Sequence, residues 1–505
     1  MAISVLYHTL AENHVHRMIC YVYCSEGSLY ATTPAQNRDY PSHHLIGRNG
    51  LMARNAQYRV FFKNVDILSW QVFDAAKLEI FRILTLGITG FDVPLALSSI
   101  RETAASLTSL RAVIESYPVN GQLPARVSKA IGYLNQHPEF NEFNRAAFII
   151  NYGNLISTGI NQAKQQLNIP LIKYNRLLNQ EANTLFDRDA FYVNAYAPSP
   201  EFFVTAGKTA LGKKLFSDPA LSGNQTRSCA SCHQPGLTFT DGLKTNTAIF
   251  DHVPLPRNTP TLLNAGLQAA QFYDLRALTL EDQIRDVIEN KKEMHGDMNT
   301  IVKRLWKDST YRKLFSNTFP KPGRTAIDSV EVMNVLSSFL RSLTKLNSRF
   351  DDYMRGKKTA MDAEEISGFN LFMGKAKCAT CHYMPLFNGT VPPIYLKTES
   401  EVIGVPGHAG SREIDADLGR YNIIPIAAFK NAFKTPTVRN AALTAPYMHN
   451  GVFKDLNEVV DFYNKGGGMG AGIAIDNQTL SSDKLNLSPK EVNELIAFIK
   501  SLNSN

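Results

Sequence analysis

No run of about 18 apolar residues occurs anywhere in the 505-residue sequence, so no segment has the length that a membrane-spanning helix requires. Blocks of lysine and arginine are missing too. The net charge of +8 is dispersed along the chain, which describes a mildly basic surface and argues against a nucleic-acid footprint. Cysteine is scarce: of six in all, four are taken up by two Cys-x-x-Cys pairs, and only Cys20 and Cys24 are left over. That leaves no disulfide framework to infer. His14 and His16 stand near the leftover pair, yet ligands crowded this closely seldom close a zinc tetrahedron, and the stretch reads as having no metal role. Residues 1–30 also lack a basic leader, an uninterrupted apolar core and an A-x-A-like cleavage site. With NRDYPSHHLIGRNG reading as loop, residues 1–60 are expected to be poorly ordered or to contain a mis-assigned start.

What is present is ordinary globular composition, 44% hydrophobic and 19% charged, on a chain long enough for two or three domains that can each bury a cofactor. From about residue 61 to 195 the pattern turns helical. Leu97, Ile100, Ala104, Leu107, Leu110 and Ile114 recur near i, i+3, i+4, i+7 spacing, and Pro118 and Gly121 end the run. EFNRAAFIINYGNLISTGINQAKQQL and LIKYNRLLNQEANTLF predict further helices without ligand-like residues, so residues 61–195 are expected to form a helical N-terminal domain serving as scaffold or partner surface. The prolines of NAYAPSPEFF mark a boundary. Residues 200–355 and 356–505 then each hold a helix ending near Leu-Phe followed by a Cys-x-x-Cys-His motif. This looks like an internal duplication, two small helical haem domains facing each other, and the expected fold class is all-α.

In Cys-x-x-Cys-His the two thiols add across the vinyl groups of a haem, while the adjacent imidazole becomes the proximal iron ligand. The sequence contains this motif twice, as Cys229, Cys232 and His233 and as Cys378, Cys381 and His382. A thioredoxin-like pair or half a zinc site would give no reason for a histidine directly after both pairs. Two covalently bound haem c groups are therefore expected. Because that attachment takes place outside the cytoplasm, a periplasmic location is inferred from the chemistry alone.

Over roughly residues 200–500 the sequence resembles the di-haem cytochrome c peroxidase and MauG family. The resemblance is carried in order by SCASCHQPGLTFTDG, PRNTPTLLNAG, QFYDLRALTLEDQIRDVIENKKEM, KCATCHYMPLFNG and FKTPTVRNAALTAPYMHNGVFKDLNEVVDFYNKGG. It implies that the haem bound at Cys229 and Cys232 reduces hydrogen peroxide, with Glu293 as the distal acid–base group and Gln283 as its companion amide. Without the family context, Glu293 would read as an exposed helix residue among Lys291 and Lys292. The family's bridging tryptophan between the haems matches Tyr273, an oxidisable aromatic whose radical would need an acceptor for its proton; packing alone is the plain alternative. The second axial ligand of the electron-transfer haem, methionine in typical peroxidases and tyrosine in MauG-like proteins, falls on Tyr463, with Met384, Met448 and Met469 as nearby alternatives. A phenolate would stabilise ferric iron and point towards MauG-like chemistry. The resemblance further implies a weak calcium site at Asn258, Thr444 and Pro446. For the histidine that caps the peroxidatic iron in resting peroxidases, His252 is the nearest candidate, although it reads more simply as a surface residue.

The expected function is thus a peroxidase drawing electrons from a c-type cytochrome or a similar periplasmic donor. One alternative is MauG-like oxidation of Trp or Tyr side chains on a partner protein. An alternative of another class is a non-catalytic di-haem electron carrier, in which Glu293 and Gln283 are incidental.

Overall fold

The computed structural model describes residues 67–173 and 176–504. The expectations for residues 1–60, Cys20, Cys24, His14 and His16 among them, lie outside the described residues. The fold is helix-rich, and the strand content named within it is one two-residue antiparallel pair, β1 (Ser400–Glu401) against β2 (Phe433–Lys434), with Ser400 opposite Lys434. Among the described residues no helix is long and apolar enough to cross a membrane.

The N-terminal part contains α1 (Ser69–Thr85), α2 (Ser99–Glu115), α3 (Gln122–Gln136) and α4 (Asn154–Gln166). In α2 the apolar period acts as expected, burying Ile100, Ala104, Leu107, Leu110 and Ile114. Leu97 falls before the helix, at φ 51°. The helix before α4 is interrupted: Arg145–Phe148 runs into a π-helical turn, Ile149–Gly153, where any Cβ at Gly153 would collide with the Leu84 side chain.

Residues 171–186 depart from the helical expectation. The described part of LIKYNRLLNQEANTLF is built of turns with one bridge, Leu178 to Phe191. Its polar side chains occupy backbone groups that a helix would need. Asn179 Oδ1 accepts from Glu181 N (3.0 Å), its Nδ2 donates to Asp189 O (3.0 Å), and Asp187 Oδ2 accepts from Asn183 N (2.8 Å). This local competition outweighs helix propensity.

After residue 200 one arrangement occurs twice. Helix α5 (Ala206–Phe216) precedes the first motif. It is followed in sequence by α6 (Leu280–Glu289), α7 (Met298–Lys307), α8 (Ser309–Thr318) and α9 (Ser329–Ser342), of which α9 crosses α5. Helix α10 (Ala363–Met373) precedes the second motif and crosses α12 (Pro489–Ser501), with α11 (Leu456–Asn464) between them in sequence. Both crossings are close because each has a glycine at the contact: a Cβ at Gly212 would overlap the Val335 carbonyl, and one at Gly368 the Glu494 carbonyl. Three and four residues on, Leu215 and Phe216 in α5 correspond to Leu371 and Phe372 in α10. Phe216 meets Phe339 edge-on at 5.1 Å, and Phe372 meets Phe498 edge-on at 5.2 Å.

The cores divide unevenly. Residues 211–340 enclose their own cluster, with Leu215, Phe315, Val332 and Val335 at its centre. The N-terminal helices instead share one continuous core with residues 350–502. Phe186 packs on Phe350 (5.9 Å), Phe191 on Tyr395 (5.5 Å) and Phe91 on Tyr383 (5.8 Å). Asn154 Nδ2 donates to Met354 O at 3.1 Å, and Asn370 Oδ1 accepts from Ala146 N at 3.1 Å.

The linker RFDDYMRGKKTAMDAEE, which reads as polar, contains a short helix, Arg349–Met354, that anchors this shared core. Asp351 receives both ends of the Arg439 guanidinium, at 2.8 and 2.7 Å, and the backbone N–H of Ser348 at 2.9 Å. Burial alone would raise the Asp351 carboxyl, but Arg439 overrides it and holds the group below its ordinary value of 3.8. A depressed carboxyl stabilises the fold at pH values above that ordinary value, and the contribution is lost as pH falls through the lower folded value. Asp351→Asn, which strands a buried guanidinium, is expected to cost about 3–5 kcal/mol. It should also flatten the acid limb of a Tm-against-pH curve; an unchanged Tm at neutral pH would refute this.

Candidate functional site

The first motif begins a one-turn helix, Cys229–Cys232, whose N-cap is Ser228 and whose C-cap is His233. The second forms a tighter turn over Cys378–Thr380, entered through Lys377 at φ 55°. In both, the histidine N–H closes back onto the first cysteine's carbonyl at 2.9 Å.

The rings are then aimed by carbonyl acceptors. His233 Nδ1 lies 3.1 Å from Phe239 O, and His382 Nδ1 lies 2.9 Å from Pro436 O. A carbonyl can only accept, so Nδ1 carries the proton and Nε2 is left with its lone pair, as an iron ligand requires. Burial lowers both imidazoles, His382 to about 4, and keeps them neutral. The four motif cysteines are free. Burial pushes the Cys229 thiol up to about 12, Cys232 to about 11 and Cys378 to about 12. A thioredoxin-like pair needs one depressed thiol, and neither pair has one. Paired thiols with a neutral imidazole beside them fit a covalently attached haem.

Pro436 was not singled out by motif reading, although a signal for it exists. Thr-Pro-Thr-x-x-Asn-Ala occurs at residues 259–265 and again at 435–441, and Asn264 and Asn440 both stand at φ 61°. The first copy follows the same pattern, since the Pro260 backbone is within hydrogen-bonding reach of His233.

Glu293 sits in the turn after α6. Its Oε1 accepts from Asn290 Nδ2 at 2.8 Å, and its carbonyl accepts from Arg227 Nη1 at 3.1 Å. Lys291 and Lys292 are exposed whereas Glu293 is half-buried. Burial raises its carboxyl above the ordinary range, against the pull of Arg276 and Arg227. Its charge is felt at the Cys232 thiol, which places it near the first motif. Gln283 lies half-buried on α6, ten residues before it.

Tyr273 lies on the seam between the two repeats. Its carbonyl accepts from Lys434 N at 2.7 Å, and burial raises its phenol. Tyr463, on α11, lies near the second motif: its phenol is raised by burial first and then by Cys381 and Cys378. Of the methionines, Met448 packs in the same small cluster as Tyr463, Met384 is fully buried and Met469 is exposed. His252 is exposed on a loop at φ 55°.

Asn258 donates its backbone N–H to His449 O at 2.6 Å, which joins it to the segment containing Thr444 and Pro446. Its side-chain N–H groups face the carbonyls of Leu243 and Lys244, at 2.9 and 3.3 Å. These three residues bring neutral oxygens only. Among the described residues no group of three or more His, Cys, Asp or Glu side chains is placed to hold a metal ion.

Two half-buried histidines whose Nδ1 is occupied by a carbonyl, each beside a pair of free thiols, define a di-haem c-type protein. Residues 206–359 match the family model described as di-haem cytochrome c peroxidase. The methylamine utilization protein MauG of Methylorubrum extorquens is 36% identical over 301 residues, 59% of this chain and 79% of that protein. Cytochrome c551 peroxidase of Pseudomonas aeruginosa is 30% identical over 344 residues, covering 66% of this chain and 92% of its own. The crystal structure of a MauG-like protein associated with microbial copper homeostasis superposes with a TM-score of 0.54 at 28% identity, covering 61% of this chain and 94% of that one. The chain belongs to the di-haem cytochrome c peroxidase family. It is accordingly an oxidoreductase with two c-type haems, and α1 to α4 lie outside the matched segment.

Proposed function

We propose that residues 200–355 form the peroxidatic unit, that residues 356–505 form the electron-transfer unit, and that electrons from a c-type cytochrome or similar periplasmic donor reduce hydrogen peroxide at the first. The observation that carries this reading is Glu293, a half-buried carboxyl near Cys232 that is held by Asn290. When bound through Cys229 and Cys232, haem supplies an iron centre that exchanges electrons with peroxide. Glu293 moves a proton from one peroxide oxygen to the other as the O–O bond breaks, and its raised carboxyl suits it to give and take that proton near neutral pH. Gln283 orients the substrate beside it. Tyr273 relays electrons across the seam, and Tyr463, together with His382, would hold the iron of the electron-transfer haem. Asn258, Thr444 and Pro446 offer a weak calcium site at the seam. Attachment of haem c supports a periplasmic location.

A second reading, MauG-like oxidation of Trp or Tyr side chains on a partner protein, is favoured by Tyr463, because a phenolate makes the second haem a poorer acceptor from ordinary donors. The non-catalytic carrier has no use for a buried carboxyl at the first motif.

Mixing fully ferric protein with peroxide and a reduced c-type cytochrome separates the three. Sustained oxidation of the cytochrome is expected for the peroxidase. Haem absorbance that responds while the cytochrome is not consumed supports a protein side chain as donor. No response of either supports the carrier.

A further inference from the structure

Arg257 bridges the two repeats. Its Nε and Nη2 hold both oxygens of Asp417, at 2.7 and 3.1 Å, while Nη1 holds Asp274 at 2.6 Å. Asp417 belongs to the second repeat and Asp274 is the residue after Tyr273. The guanidinium also faces the Phe433 ring at 5.7 Å, and that ring is stacked on His449 at 3.6 Å. Lys434, next to Phe433, holds the Tyr273 carbonyl through its N–H, and its ammonium donates to Gln268 Oε1 at 2.7 Å.

The loop held in this way is strained. Phe272 and Leu275, on either side of Tyr273 and Asp274, stand at φ 63° and 60°, a conformation that bulky L side chains rarely adopt. A second cation braces it from the other side: Arg276 donates to both oxygens of Asp274, at 3.1 and 3.0 Å, and lies over the Phe272 ring at 3.4 Å. Asp274 is buried and takes both cations, and Arg257 carries the link on to Asp417 in the second repeat. Without Arg257 the remaining ties from Asp274 are local, and the loop is held to the second repeat by the backbone bond from Lys434 N to Tyr273 O, which does not fix the Asp274 side chain.

We infer that Arg257 is a positioning residue that sets the electronic coupling between the two haems by locking the Tyr273 loop against the second repeat. This rests on the reading of Tyr273 as the relay. Electron tunnelling falls off steeply with distance and orientation, so a relay on an unpinned, strained loop would spend most of its time out of register. The role requires no chemistry of Arg257 itself.

The test reduces the haem-loaded protein by less than one electron with a photo-generated one-electron reductant and follows redistribution of the electron between the haems by their separate absorbance bands. Arg257→Gln and Asp417→Asn are expected to slow it at least tenfold, with both midpoint potentials retained, and Arg257→Lys, able to reach one carboxylate at a time, to fall between. Tyr273→Phe is the reference. If it slows redistribution and Arg257→Gln does not, Arg257 has no positioning role. If Tyr273→Phe changes nothing, the relay reading fails and takes this inference with it. Slowing in both Arg257→Gln and Asp417→Asn that comes with shifted midpoint potentials means general loosening of the seam, and also overturns it.

Discussion

Glu293→Gln is expected to slow the reaction with peroxide by about 10²–10⁴-fold, the range of a lost general acid–base. Haem content, haem absorbance and Tm should stay as they are. The substitution keeps the shape of the side chain and keeps an oxygen for the Asn290 amide, which lies 2.8 Å from Glu293 Oε1. What it removes is the ability to take a proton from one oxygen and return it to the other. The pH dependence gives an independent check. Burial raises this carboxyl, so deprotonation occurs at higher pH than for an ordinary glutamate. The rate should therefore have an acid limb displaced upwards, and the variant should lack it. A loss of less than threefold, with the limb intact, would remove Glu293 from the mechanism and leave the electron carrier as the better description.

Tyr463→Met is expected to raise the midpoint potential of the second haem by on the order of 0.1–0.3 V, because a thioether favours ferrous iron and a phenolate ferric. The potential of the first haem should move far less. The phenol is buried beside Cys381 and Cys378, where ligation would take up a charge that burial otherwise penalises. A spectroelectrochemical titration reads both haems in one experiment. If the second potential does not move, Tyr463 is not a ligand. Met448, which packs in the same cluster, would then be the next residue to replace. The result also bears on the donor, since a haem raised in potential accepts electrons more readily from a small cytochrome.

Some parts of this protein were legible in the sequence for definite reasons. Haem attachment forces two thiols and an imidazole into five consecutive residues, so the motifs stand out against any background. Helix α2 was legible because a one-sided burial pattern survives as a 3.6-residue period. Residues 171–186 were not, because Asn179 and Asp187 bond the local backbone and break the helix that their apolar neighbours suggest. The acceptor for His382 is 54 residues away and the Asp417 partner of Arg257 is 160 away, and periodicity has no memory over such spans. The repeated Thr-Pro-Thr-x-x-Asn-Ala could have supplied the first of these. Nothing comparable announces Arg257, whose partners sit on two loops of unrelated sequence.

The uneven division of the cores has a consequence for how the chain can be assembled. Residues 211–340 bury a cluster of their own, apart from Leu267, which joins the other core. The N-terminal helices cannot close theirs until residues 350–502 arrive, because Phe186, Phe191 and Phe91 find their partners at Phe350, Tyr395 and Tyr383. As the chain emerges, its first part must therefore wait, apolar face open, while a unit with a cluster of its own forms in the middle. Contacts between such distant parts of a chain make for slow closure. Burial of the N-terminal helices would thus be a late event that waits on the segment carrying Cys378, which packs against the same core.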